Sequence, residues 1–343
     1  MSKEKRKINE WLLNKLHITR RPVVKVYNGY GDEDLLLVYG HVLRQSPLPK
    51  KKFKKNFWSN SMSLLRLFMV EPFRNMKLQL EWEGQMLETT TDTDGFFKFE
   101  WKSPSVPPPG WHNIKATIRS GKYAGVSGEG RVLVPYSTQY AFISDIDDTF
   151  LISHSSNLRK RLYVLFTKNA RTRKPFEGAV RHYQLLAHAN TTPESPNPFF
   201  YVSSSEWNLY EYINEFKRSY GLPEGVYLLS QMKQWYEFLK TGQTKHGGKF
   251  IRIARVLKEF PHQKFILLGD DTQQDPEIYH KIVQGFPDRI VCVYIRHVGR
   301  RKKPEVEHHA AEIRRLGVEV SYFKKSEEAL EHSLKIGLIN EIV

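Results

Sequence analysis

The sequence predicts an α/β protein in two parts: a β-sandwich-like domain over residues 1–137, then a domain over 138–343 built on a parallel sheet with helices on both faces. Three observations carry this. Upstream of residue 138, short alternating segments are punctuated by Gly, Pro, Asn and Asp. Downstream, short apolar runs alternate with stretches of helical period. At the junction, the apolar run Tyr140-Ala141-Phe142-Ile143 ends in Ser144-Asp145-Ile146-Asp147-Asp148-Thr149, three carboxylates within four residues. Such a cluster is costly in a fold unless a cation or solvent takes up the charge. At the C-terminal end of a buried parallel strand it would face the crevice where α/β proteins bind ligands.

Composition narrows the class. A chain of 343 residues is long enough for two domains with ample core, and 40% apolar with 26% charged residues is ordinary for a soluble protein. The single cysteine, Cys292, sits in the apolar run Ile290–Ile295 and is expected to be a buried strand residue. With no disulfide framework, a reducing compartment is expected. No run of about 18 apolar residues is present, so no transmembrane segment is expected. The first residues lack a long apolar core and a small-residue cleavage site, so the expected location is cytoplasmic. Net charge is +16, with +10 of it on residues 1–137 and +6 on 138–343. That excess suits an anionic partner, either acidic lipid headgroups or nucleic acid; a solvated basic surface is the plain alternative.

Taken in order, residues 5–18 have a helical stripe of Ile8, Trp11, Leu12 and Leu16 among lysines. That pattern fits packing on its own domain, with an anionic membrane surface as the alternative. Val23–Tyr27 alternates, Asn28-Gly29-Tyr30-Gly31 turns, and Leu35–Leu43 returns as a strand. The run Pro49–Lys55, followed by Phe57 and Trp58 and an apolar stretch over 62–69, joins cations to aromatics as a peripheral membrane contact would. Leu78–Trp82 alternates, Thr91–Gly95 turns, and Phe96–Trp101, Ile114–Ile118 and Arg131–Val134 complete the strands. This half carries no catalytic constellation. From residue 138, strands are expected at 140–144, 199–203, 226–229, 265–268, 290–295 and 318–323. Helices are expected near 176–189, 206–219, 248–259, 276–285, 305–316 and 326–336. Residues 151–175 are too long for a plain connection and are expected to form a small lid.

The strand ends carry the chemistry. The first delivers Asp145 and Asp147; the second delivers Ser203-Ser204-Ser205; Lys249 opens a helix; Phe265–Leu268 ends in Gly269-Asp270-Asp271, with Asp275 close behind. These are the parts of a phosphoryl-transfer site. A carboxylate can attack phosphorus, and another two residues on can act as acid and then base. A hydroxyl and an ammonium can hold phosphate oxygens. Further carboxylates suit Mg2+, a hard cation that prefers oxygen. Gly242–Lys249 is not a P-loop, because Phe250 stands where Ser or Thr belongs. His246, His308 and His309 lack the spacing of a zinc site. Trp207 and Tyr210 are expected to pack in the core.

Asp145-Ile146-Asp147-Asp148-Thr149 resembles the DxDxT motif of the haloacid-dehalogenase (HAD) superfamily. Ser203, Lys249 and Gly269-Asp270 match its later motifs in order. SDIDDT, YVSSSEW and LLGDDTQQDPEIY are similar to the actin-patch-associated phosphatidate-phosphatase branch, whose chemistry is lipin-like. Its β-rich N-terminal region is matched here by Gly29-Tyr30-Gly31 and by Thr93-Asp94-Gly95-Phe96-Phe97. The resemblance implies a HAD-like Rossmannoid sheet. It makes Asp145 the nucleophile and a metal ligand, and Asp147 the general acid/base, its carbonyl also meeting the metal. Asp270 and Asp275 would be metal carboxylates, and Ser203 with Lys249 the phosphate-holding pair. Asp271 departs from the pattern, which usually has a small residue there, and would add negative charge near the metal. The implied activity is Mg2+-dependent conversion of phosphatidate to diacylglycerol through an aspartyl-phosphate, with peripheral contact to an anionic membrane. Two alternatives stand behind it: a HAD phosphatase on a soluble or nucleic-acid phosphomonoester, and a non-catalytic scaffold binding lipid or a partner.

Overall fold

The computed structural model describes residues 21–44, 71–146, 175–230, 246–299 and 303–340, with the side chains of 204–206, 208, 246 and 247 excepted. The segments 5–18 and 49–69, Asp147 and residues 151–174 of the expected lid lie outside the described residues. Among the described residues the chain divides into two compact units between Val134 and Pro135.

In the first unit the alternating pattern becomes strands with one buried face. These are β1 (Pro22–Val26), β2 (Gly29–Gly31), β3 (Leu36–Arg44), β4 (Glu71–Pro72), β5 (Lys77–Trp82), β6 (Gln85–Thr90), β7 (Phe96–Trp101), β8 (Gly110–Ile118) and β9 (Ser127–Val134). On β5, Leu78, Leu80 and Trp82 are buried while Lys77 and Glu81 face water; on β7, Phe97, Phe99 and Trp101 do the same. That period of two lets each strand give one face to a shared core. The pairing is antiparallel except where β2 runs parallel to β9, through Gly29 opposite Val132 and Tyr30 opposite Leu133. Strand β3 is paired along both edges, with β1 and β2 on one side and β7 and β4 on the other. The turn at Thr91–Gly95 is tied by its own polar groups. The Thr91 hydroxyl donates to the Phe73 carbonyl at 2.7 Å, and Asp92 Oδ1 accepts from the amides of Asp94 and Phe96 at 2.8 and 2.9 Å. The threonine and aspartate of this segment therefore do structural work.

The second unit holds six parallel strands: β10 (Tyr140–Ser144), β11 (Phe199–Glu206), β12 (Gly225–Ser230), β13 (Lys264–Asp270), β14 (Ile290–Arg296) and β15 (Glu319–Phe323). Their helices are α1 (Ala179–Ala187), α2 (Tyr210–Tyr220), α3 (His246–Glu259), α4 (Asp275–Gly285), α5 (Pro304–Arg315) and α6 (Ser326–Lys335). Here β10 and β12 are buried along their whole length, as a sheet covered on both sides requires, while β15 exposes Glu319. Cys292 is buried in β14, and Trp207 and Tyr210 are buried. The helix expected to start at residue 206 begins later. Strand β11 stays paired through Glu206 opposite Ser230, a 3-10 turn spans Trp207–Leu209, and α2 starts at Tyr210. No described helix is long and apolar enough to cross a membrane.

Strand order positions the site. Across the sheet it runs β12-β11-β10-β13-β14-β15. The first strand in sequence is therefore central, the next two extend one way, and the last three extend the other. Connections leaving β10 and β13 diverge to opposite sides, which opens a crevice at the C-terminal ends of these two neighbours. Asp145 follows one, and Asp270 ends the other.

Candidate active site

Asp145 is fully buried, and its amide donates to the carbonyl of Leu268 at 2.8 Å, extending the β10–β13 ladder by one step. The hydroxyl of the preceding Ser144 contacts the Tyr183 hydroxyl at 2.7 Å and the Asp145 carbonyl at 2.6 Å. The strand end is thus held rigidly before any ligand arrives. Lys249, also buried, lies near the start of α3. Its Nζ donates to Asp145 Oδ1 at 2.7 Å and to Asp275 Oδ1. Burial alone would lower this lysine's pKa; the two carboxylates outweigh burial and hold it above the ordinary lysine range. The lysine is thereby kept charged inside the protein.

Asp275 is the first residue of α4, followed by Pro276 in the first helical turn. A carboxylate there complements the helix dipole, and proline suits a position whose N–H has no partner within the helix. Asp275 lies over Gly269, where an added Cβ would come within 2.6 Å of Asp275 Oδ2 and 2.7 Å of the Tyr279 ring. Glycine at 269 is what allows the carboxylate to sit against the strand. Asp270 accepts the amide and hydroxyl of Thr272 on Oδ1, each at 2.5 Å. Burial, with the charge of Asp275 adding to it, pushes its carboxyl up to about 8.

Asp145, Asp270 and Asp275 each present an oxygen within 4.8 Å of the others. One ammonium among three buried carboxylates leaves negative charge in excess, which adds to the effect of burial on the Asp270 carboxyl. An all-oxygen donor set with that imbalance fits a hard divalent cation, and such an ion would restore the ionised form of Asp270. The residues present therefore fit the metal.

Ser203 is buried in β11, where the pairing with β12 changes register between Val202 and Glu206. Four residues of β11 step against two of β12 there, so the strand bulges at the serines. Bulges of this kind re-aim side chains beside active sites. The Ser203 carbonyl accepts from Arg252 Nη2 at 3.2 Å. Asp147, the remaining residue singled out from the sequence, lies outside the described residues.

Asp271 behaves differently from the expectation that it adds charge at the metal. Its Oδ2 meets His297 Nδ1 at 2.5 Å and the Tyr322 hydroxyl at 2.7 Å, Oδ1 accepts the Val298 amide at 3.1 Å, and its carbonyl accepts Lys303 Nζ. His297, Val298 and Lys303 follow β14 and Tyr322 lies in β15, so its charge serves that side of the sheet. It is not among the three clustered carboxylates. Two residues escaped the sequence reading. Tyr279 donates to the Leu268 carbonyl at 2.8 Å and packs over Gly269. Arg252 follows Lys249 by three residues, a helical spacing that was visible in the sequence.

The family model described as phosphatidate phosphatase APP1, catalytic domain, matches residues 140–297, from β10 to the residue after β14. Phosphatidate phosphatase APP1 of Saccharomyces cerevisiae is 30% identical over 156 residues, 45% of this chain and 25% of the yeast protein. An uncharacterized protein of Schizosaccharomyces pombe is 24% identical over 163 residues, 46% of this chain and 25% of that protein. The chain thus spans about a quarter of the length of these curated relatives. Among solved structures, a carbohydrate acetylesterase from Xanthomonas citri aligns over 92% of this chain and 74% of its own at 10% identity. Its TM-score of 0.35 is too low to carry an argument. The matched segment contains both acidic strand ends, the serine bulge and the buried lysine, and over residues 140–297 the chain resembles the phosphatidate phosphatase APP1 catalytic-domain family.

Proposed function

We propose that this chain is a Mg2+-dependent phosphatidate phosphatase that releases diacylglycerol through an aspartyl-phosphate. The observation that supports it most is the buried Asp145–Lys249–Asp275 ion pair beside Asp270, at the strand-order crevice of a segment that resembles this family. Residues 138–343 form the HAD-like catalytic domain in this reading. Residues 1–137 form a sandwich-like accessory domain whose +10 charge favours an acidic membrane surface.

Asp145 attacks phosphorus in line, and the bond from phosphorus to the glycerol oxygen breaks. Asp147 gives that oxygen its proton, then takes one from the water that attacks the aspartyl-phosphate. The second displacement cleaves the acyl phosphate, frees inorganic phosphate and restores the Asp145 carboxylate. Lys249 keeps Asp145 ionised between turnovers, and together with the Ser203 hydroxyl it holds phosphate oxygens as charge builds on them. Asp145, Asp270, Asp275 and the Asp147 carbonyl would hold Mg2+, which supplies positive charge beside the transferring phosphoryl group.

The test is a substrate panel with Mg2+: phosphatidate in mixed micelles against sugar phosphates, nucleotides and 3′-phosphorylated DNA. Phosphatidate should turn over fastest, and Asp145→Asn should abolish turnover. Rapid hydrolysis of a soluble or DNA ester with phosphatidate inert would replace the substrate assignment. No hydrolysis of any ester would favour a binding scaffold.

A further inference from the structure

Lys249 and Arg252 are three residues apart on α3, so their side chains leave neighbouring points on one side of the helix. Their surroundings differ. Lys249 is already matched by two carboxylates. Arg252 donates Nη2 to the Ser203 carbonyl at 3.2 Å, while its Nε is shut from solvent with no hydrogen-bond partner. Among the described residues no carboxylate pairs with this guanidinium. Burial pulls its pKa down to about 10, and no acidic neighbour offsets that pull.

A guanidinium remains charged at neutral pH, so a half-buried one without a counter-ion carries a standing desolvation cost. Gly248 stands within the first turn of α3, where a Cβ would come 3.1 Å from Arg252 Nη1. The planar donor group is thus laid against the helix start, beside the bulged serine strand and one turn from Lys249.

We propose that Arg252 is a phosphate-binding residue: anchored on the Ser203 carbonyl, its guanidinium receives oxygens of the phosphomonoester that Asp145 attacks. The inference rests on the phosphatase reading above. It gives the substrate dianion a cation not already shared with the metal carboxylates. Arginine suits the task because its fork of N–H donors matches two phosphate oxygens at once.

The test compares Arg252→Gln and Arg252→Lys with wild type in saturating Mg2+. Hydrolysis kinetics, inhibition by orthophosphate, and calorimetric binding of orthophosphate are measured. Arg252→Gln should raise KM and the orthophosphate inhibition constant together, by about tenfold or more, with kcat changed far less. Arg252→Lys keeps the charge without the fork and should fall between the two; it carries the test if the glutamine variant does not fold. KM and orthophosphate affinity within about twofold of wild type in both variants would reduce Arg252 to a tie on the Ser203 carbonyl and overturn the proposal. A fall in kcat with KM unchanged would overturn it too. If wild type hydrolyses no ester, the phosphatase reading fails, and the binding measurement still decides this one. Weakened orthophosphate binding in Arg252→Gln supports it, and unchanged binding ends it.

Discussion

Replacing Lys249 by methionine keeps the length of the side chain and removes only the ammonium. In the metal-free protein this leaves Asp145 and Asp275 facing each other, both buried, without the cation that now bridges them. Breaking a buried pair by deleting one partner costs about 3–5 kcal/mol, because the remaining charge has neither water nor counter-ion. For a unit of about 200 residues, each kcal/mol moves the midpoint by about 2–4 °C, so Tm in EDTA should drop by about 6–20 °C. The sign with pH follows from the raised lysine pKa. The wild-type advantage is fully present below pH 10.5 and fades as pH rises through the folded-state pKa, above that value. Thermal unfolding of wild type and Lys249→Met in EDTA, from pH 7 to pH 11, reads both effects. A variant melting within about 2 °C of wild type at pH 7 would refute the claim that Lys249 neutralises this cluster.

Other perturbations reach different parts of the argument. Gly269→Ala places a Cβ against Asp275 Oδ2 and the Tyr279 ring, so it should displace Asp275 and weaken Mg2+ binding by tenfold or more, read by calorimetry; unchanged affinity would remove Asp275 from the site. Asp271→Ser strips acceptors from His297, Val298 and Tyr322 and should cost about 1–3 kcal/mol in urea unfolding, with the Mg2+ concentration for half-activation unchanged. A large shift in that concentration would return Asp271 to the metal site. Burial pushes His41 and His182 down to about 3. Between about pH 3 and 6.5 the unfolded chain therefore binds more protons than the native one. Their contribution is fully present above pH 6.5 and is lost on acidification, so His182→Gln should flatten the acid limb of a urea-stability profile, and an unaltered limb would contradict the burial argument.

The alternation of the first unit and the strand–helix rhythm of the second were legible because each depends on residues only a few positions apart. Leu78, Leu80 and Trp82 announce a one-faced strand; the unbroken apolar run at Tyr140–Ile143 announces a covered one. Asp145, Lys249 and Asp270 could be singled out because each stands at or beside the end of such an element; Ser203 was expected at a strand end, but β11 runs on to Glu206. The late start of α2 was less legible, since it depends on how long β11 stays paired with β12.

By itself the sequence determined the element types and the acidic, hydroxyl and basic residues at or near their ends, since burial period and chain chemistry are local properties. Tertiary structure alone decided which ends meet. Strand order brings β10 beside β13 across more than a hundred residues of chain, and helix α4 swings Asp275 back over Gly269 onto Lys249. It also separated two adjacent aspartates. Asp270 faces the cluster and Asp271 faces His297 and Tyr322, because successive residues at a strand end point to opposite sides, and what waits on each side belongs to distant parts of the chain.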